Sequence, residues 1–296
     1  MARLNSIPDA IHLGAVHLRV TDVARALPVW RDLIGLSVLS QNGDVTVLGL
    51  ANRPMIILQG GATAPAPDHV IGLFHVAIHV PTRADLARVL ARLRVAGLPH
   101  SGQDHLLSIA LYCADPDGNG IEIALDTPDR GHIDLNPEDP HGVALDGTRH
   151  SLLEPLDLDA LMADLPDAPV SAALPDASII GHIHFRTNQR DTVHAFYSDI
   201  IGLLPHVNSA KFKFCDTGTA LRRHMVAFNT WGGEALPAAG PAAPGVVQYT
   251  LTLPDAAALT TVSARLHRAK VPVTASDHGL TCHDPDGNCI VLTVAA

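Results

Sequence analysis

The sequence predicts an α+β protein built from four copies of one β-α-β-β-β module. Three observations carry that reading. The pentapeptide DPDGN occurs twice, at 115–119 and 284–288; longer stretches of chain repeat around it; and each repeat changes from strand-like to helix-like spacing at the same place. GLFHVAIHVPTRADLARVLARLRVAGLP from Gly72 aligns with GVVQYTLTLPDAAALTTVSARLHRAKVP from Gly245, with four extra residues in the first copy near 106–110. LGAVHLRVTDVARALPVWRDLIGL aligns with IGHIHFRTNQRDTVHAFYSDIIGL, so that Gly14 meets Gly181. The order is A–B–A′–B′, giving modules one to four.

Each module opens on a strand of alternating character, as over 74–80 and 182–186. An amphipathic helix follows: Leu86, Val89, Leu90 and Leu93 fall at helical spacing, and Gly97 supplies the stop. Short strands complete the unit, with Asp-Gly tight turns at Asp117-Gly118 and Asp286-Gly287. Pro28 falls inside the first helix, where a missing N–H and a ring clash cost about 3 kcal/mol, so a kink or delay is expected there. Modules one and two form a first half, 1–126, and modules three and four a second, 179–296. Between them, 127–178 is rich in Asp, Pro and Gly and reads as an ordered surface linker with one helix over 156–165, started by Asp157 or Asp159.

Composition narrows the function classes. With 296 residues, 47% hydrophobic and 17% charged, the chain can bury a sizeable core. A net charge of −10 at pH 7, with Lys and Arg scattered singly, argues against a nucleic-acid partner. The stretch 1–14 has no apolar signal-peptide core and no apolar run reaches bilayer length, so a cytoplasmic protein without a membrane partner is expected. Four cysteines without a CxxC pair fit reduced thiols rather than a disulfide framework. The 18 histidines are a heavy load that position has to sort.

The repeats disagree where chemistry is expected. Equivalent positions on the opening strands are Ala15, His75, His182 and Gln248. On the closing strands of modules two and four they are Glu122 and Val291. Glu122 interrupts an apolar strand, 121–125, where a carboxylate costs several kcal/mol unless a cation or donors satisfy it. Two histidines and one carboxylate can occupy one face of a non-haem metal and leave the rest open. His75, Glu122 and His182 supply that set; Ala15, Gln248 and Val291 have no strong ligand. His17, His79 and His184 are read as facing the opposite side of their strands, as ordinary packed histidines.

These motifs, with IGHIHFRT, FYSDIIGL, GLFHVAIHVP and ALYCADPDGNGIEIALD, resemble the vicinal oxygen chelate superfamily of glyoxalases, bleomycin-resistance proteins and extradiol dioxygenases. The resemblance covers both halves without the linker and is closest to the catechol 2,3-dioxygenase-like branch. It implies modules paired into two open, curled mixed β-sheet clefts with helices outside. Many two-domain relatives place the metal between modules three and four. Gln248 and Val291 depart from that pattern, so here module two must pair with module three. A first-half site built from His75 and Glu122 alone, or a site shared across a possible homodimer, is the alternative.

The resemblance further implies His224, in RRHMVAFNTW, as a proton relay, with His105 and Tyr112 facing the cleft. Asn229 stands where glyoxalase-type enzymes hold a fourth ligand; as a weakly ligating amide it is expected to line the substrate cleft beside Trp231. The implied activity is extradiol ring cleavage of a small catechol-like aromatic with dioxygen at Fe(II), with Mn or Zn as alternative metals. A metal-free sequestering protein and a glyoxalase- or thiol-transferase-type metalloenzyme are the rival readings.

Overall fold

The computed structural model describes residues 8–66, 69–136, 139–167, 169–233, 235–276 and 279–295. The reading of 1–14 therefore falls partly outside the described residues. Four β-α-β-β-β modules are present, opening on strands His12–Arg19, Gly72–His79, Ile179–Arg186 and Gly245–Leu253. Module two holds the longest helix, Arg83–Ala96. The Thr82 side chain accepts from Asp85 N–H at its start, and Gly97 ends it with φ of 64°. Leu86, Val89, Leu90 and Leu93 form its buried stripe.

Two large sheets result, and neither belongs to one half of the chain. In the nine-stranded sheet the opening strands of modules two and three lie side by side, antiparallel. In the eight-stranded sheet those of modules one and four do so. Each opening strand also pairs in parallel with the closing strand of its own module, such as Gly72–His79 with Gly120–Asp126. Helices pack on the outer faces, where the alternate strand residues, including Val76, Ile78, Ile123 and Ile183, form the core.

The DPDGN copies are clasps. Asp115 Oδ1 accepts from the N–H groups of Asp117 and Asn119 at 2.9 and 3.0 Å, and Oδ2 accepts from Trp30 Nε1 at 3.3 Å. Asp284 repeats this with Asp286 and Asn288, and the Tyr197 hydroxyl donates to it at 3.0 Å. Trp30 and Tyr197 hold equivalent places in the helices of modules one and three. Each clasp thus joins two modules of one half, while each sheet joins modules of different halves. The turns require φ of 84° at Gly118 and 86° at Gly287, which explains the glycine.

Two expectations need correction. The helix of module one, Val23–Pro28, runs on into a π-helical turn, Val29–Ile34, but Pro28 is not the cause. Module three makes the same change, from Arg190–Ala195 to Phe196–Ile201, with Ala195 in the proline's place. The linker helix is shorter than 156–165, covering Leu158–Met162. Asp157 caps it by accepting from Asp159 and Ala160 N–H, which leaves Leu156 outside, and Pro166 drives Leu165 out of helical conformation. The linker also forms a small sheet from Gly131–Asp134, His141–Ala144 and Arg149–His150, and lays Glu154–Pro155 on the edge of the nine-stranded sheet. All four cysteines are free, and among the described residues no helix is long and apolar enough to cross a membrane.

Candidate metal centre

The pairing of modules two and three brings His75, Glu122 and His182 together. Ala77 is in register with His182 on one side and with Glu122 on the other. Its methyl leaves the space above the sheet in which the two longer side chains meet, and His75 enters from two residues along the same strand face. Their Nε2 and Oε2 atoms form a triangle: His75 to Glu122 2.9 Å, His75 to His182 3.1 Å, and His182 to Glu122 3.3 Å. Among the described residues this is the one group of His, Cys, Asp and Glu side chains placed to hold a metal.

The donor set fits a metal ion. Ligands at about 2.1 Å on mutually perpendicular axes sit roughly 3 Å apart, and the observed triangle has that size. All three residues are buried, at 5% exposure for His75, 3% for Glu122 and 4% for His182. Burial opposes ionisation of Glu122, but His182 and His75 favour the carboxylate and hold its pKa well below the usual range. Burial pushes His182 well below the ordinary histidine value, toward the neutral imidazole that ligates metals. A buried carboxylate beside the lowered imidazole of His182 is a setting that a cation would satisfy.

Around the triangle stand the other sequence candidates. Tyr112 is in register with Glu122, and its ring lies 5.6 Å from that of His75. Burial and the neighbouring Glu122 charge raise its pKa, so the phenol keeps its proton. His105 Nε2 lies 2.9 Å from the Tyr112 oxygen, while its Nδ1 lies 2.5 Å from the Leu152 carbonyl. A carbonyl can only accept, so Nδ1 carries the His105 proton and Nε2 accepts from Tyr112. On the other side, the His224 ring is 4.3 Å from His182, and its Nδ1 is 2.8 Å from Asp216 Oδ2. Burial lowers the His224 pKa, but Asp216, through hydrogen bond and charge, raises it above the ordinary value. The His224 side chain is 35% exposed. Phe74, Phe214 and Trp231 form an aromatic wall beside it, Phe214 stacking on both His224 and Trp231.

A family model described as "Glyoxalase/Bleomycin resistance protein/Dioxygenase superfamily" matches residues 12–123. A catechol-2,3-dioxygenase of Bacillus subtilis (strain 168) is 30% identical over 98% of this chain and 100% of its own length. The chain belongs to this superfamily. Two solved structures have the same fold. A candidate dioxygenase of Bacillus subtilis subsp. subtilis str. 168 gives a TM-score of 0.64 at 13% identity, over 98% of this chain and 86% of that one. Glyoxalase I from Zea mays gives 0.58 at 14% identity, over 96% and 92%. The superfamily's curled sheets and outer helices account for the architecture.

Several neighbours of the site were missed. His79 and His184 do not turn away from it. A strand alternates with period two, so 75, 77 and 79 share one face and 182 and 184 another, and these two faces are the same side of the sheet. His184 lies opposite His75, with ring centres 4.9 Å apart, and burial drives its pKa well down. His17 likewise shares its face with Ala15 and is in register with Gln248 in the second cleft. Asn229 is buried with both ends engaged: its amide donates to His184 Nε2 at 2.9 Å, and its carbonyl accepts from Trp231 N–H. Asp216 and the Leu152 carbonyl had no sequence signal, because neither has a spacing relation to the residues it serves.

Proposed function

We propose that the chain is a mononuclear non-haem Fe(II) dioxygenase that cleaves catechol-like aromatics beside the hydroxyl pair, with His75, Glu122 and His182 as metal ligands. The observation that carries this reading is the buried triangle of three donors formed between modules two and three. The bound metal supplies a Lewis-acidic, redox-active centre with positions open to two vicinal substrate oxygens and to dioxygen. Asn229 supports a three-ligand site rather than a four-ligand glyoxalase type, since its carbonyl oxygen, the atom that could ligate, accepts from Trp231 N–H and its amide NH2 is held by His184. The catechol-2,3-dioxygenase relative supports the substrate class.

The chain's own groups supply the rest. His224, backed by Asp216, takes a substrate hydroxyl proton and returns it to the product. Tyr112, its hydroxyl directed to His105, donates a hydrogen bond to a substrate oxygen when it turns from that partner. Phe74, Phe214 and Trp231 hold the aromatic ring and exclude water. Loading the purified chain anaerobically with Fe(II), then adding catechol under air, should yield coloured ring-opened product. His224→Gln should lower kcat about 10²–10⁴-fold while leaving metal content intact. Metal content under about a tenth of an equivalent after reconstitution would support a metal-free sequestering protein instead.

A further inference from the structure

Resting on the metal reading, we infer that His79 and Asp126, laid across Gly181, are positioning residues that fix the tautomer and orientation of His182. His79 Nδ1 lies 3.1 Å from Asp126 Oδ2, and His79 Nε2 lies 3.2 Å from His182 Nδ1. An imidazole that ligates through Nε2 carries its proton on Nδ1 and needs an acceptor there. The Asp126 carboxylate can only accept, which places the His79 proton on Nδ1 and leaves Nε2 as that acceptor. One hydrogen-bond order therefore runs from a carboxylate that is 64% exposed at the surface to the buried ligand nitrogen.

Gly181 makes this arrangement possible. A Cβ there would fall inside the His79 ring, against Cδ2, Nε2 and Cγ. The strand is irregular at the same place, its register shifting between Ile180 and His182. A residue with any side chain would push His79 off the strand and away from His182.

The second cleft shows what happens without a ligand to position. Thr252 and Ala295 stand at the places of His79 and Asp126, and Ala15 stands at the place of His182. The glycine persists there as Gly14, whose missing side chain borders Thr250 and Thr252 instead. The groups behind the histidine are absent wherever the histidine is absent.

Cobalt(II) titration of the full chain against a chromophoric chelator, with the visible absorption bands of the bound ion, tests the inference. His79→Phe fills the ring's volume without an acceptor and should weaken cobalt binding about 10–100-fold, with altered bands. His79→Gln, whose Oε1 can accept from His182, should restore most of that affinity. Gly181→Ala should behave like His79→Phe. Asp126→Ala, a surface change, should cost less, up to about 10-fold. Native affinity and bands in both His79→Phe and Asp126→Ala overturn the inference, as does equal loss in the Phe and Gln variants. Undiminished affinity in Glu122→Ala would instead overturn the metal reading, a separate result.

Discussion

The two sheets are built from the same modules in the same way, yet among the described residues only one carries a candidate centre. Between modules two and three, His75, Glu122 and His182 converge above Ala77. Between modules four and one, the equivalent residues are Gln248, Val291 and Ala15 above Thr250. The strand pairing, the clasps and the turn glycines are kept in both. The architecture therefore requires none of these residues, and the proposed chemistry rests on a few side chains placed on one of two equivalent surfaces.

The largest expected difference follows directly. Glu122→Ala or His182→Ala should cut metal affinity by more than about 100-fold, since removing a ligand costs more than removing a group behind it. Gln248→Ala and Val291→Ala should leave stoichiometry and affinity native. Metal analysis of the four purified variants checks this, and a metal lost from the Gln248 variant would abolish the contrast between the clefts. Equal loss in Glu122→Ala and His182→Ala would tie the site to both halves of the chain.

The sequence made this contrast visible because ligand-type residues fell at equivalent repeat positions. Local signals also placed the helix from Arg83 to Ala96, since Thr82, the apolar stripe and Gly97 each act within a few residues. Sheet order carries no local signal; it became legible only because Glu122 needed partners that Gln248 and Val291 could not supply. The strand period already put His79 and His184 on the ligand face, and that consequence was overlooked. Asp216, which backs His224, comes from a neighbouring strand and acts through pairing that only folding creates. The linker's small sheet was hidden by short strands of mixed polarity, such as Arg149–His150.

The halves also differ in how their helices are tied down. Arg92, buried on the helix of module two, donates to the carbonyls of Leu33 and Ile34 at 2.6 and 2.7 Å. It reaches Val170 and Ala172 of the linker as well, at 2.9 and 2.8 Å. Burial and the nearby Arg88 push its pKa down to about 10, still charged at neutral pH. Its counterpart Arg265 donates to Ile201 at 3.2 Å from a half-buried position. Orphaned buried carbonyls cost about 1–3 kcal/mol each, so Arg92→Met should destabilise by about 3 kcal/mol or more, and Arg265→Met, at a less buried position, by less. Denaturant midpoints give the order, and a larger loss at Arg265 would break the comparison.

The carboxyls of both clasps, Asp115 and Asp284, are raised by burial, so each clasp should make stability depend on pH. Burial raises the Asp284 carboxyl to about 6, against about 3.9 in an unfolded chain. A folded-state pKa above the unfolded value means the contribution is fully present below pH 4 and is lost as pH rises through 6. Wild type should therefore lose on the order of 2–3 kcal/mol relative to Asp284→Asn between pH 4 and 7. Urea unfolding of both proteins across that range measures the difference in slope. Parallel profiles would show that Asp284 is already ionised in the fold.

The smallest effect concerns Pro28. A proline inside an α-helix removes a hydrogen bond and clashes with the preceding turn, a cost of about 3 kcal/mol if nothing accommodates it. Here the helix changes to π geometry directly after Pro28, and module three makes the same change after Ala195. The turn is thus a property of the module, ended in each case by a left-handed glycine, Gly35 or Gly202. Trp30 and Tyr197, each one turn before that glycine, are the side chains the clasps hold, which gives the wide turn a packing cause shared by both modules. Pro28→Ala should then change stability by less than about 1 kcal/mol, the entropy that proline removes from the unfolded chain. It should leave helix content by circular dichroism unchanged. A gain near 3 kcal/mol would mean that module one carries a strain that module three lacks.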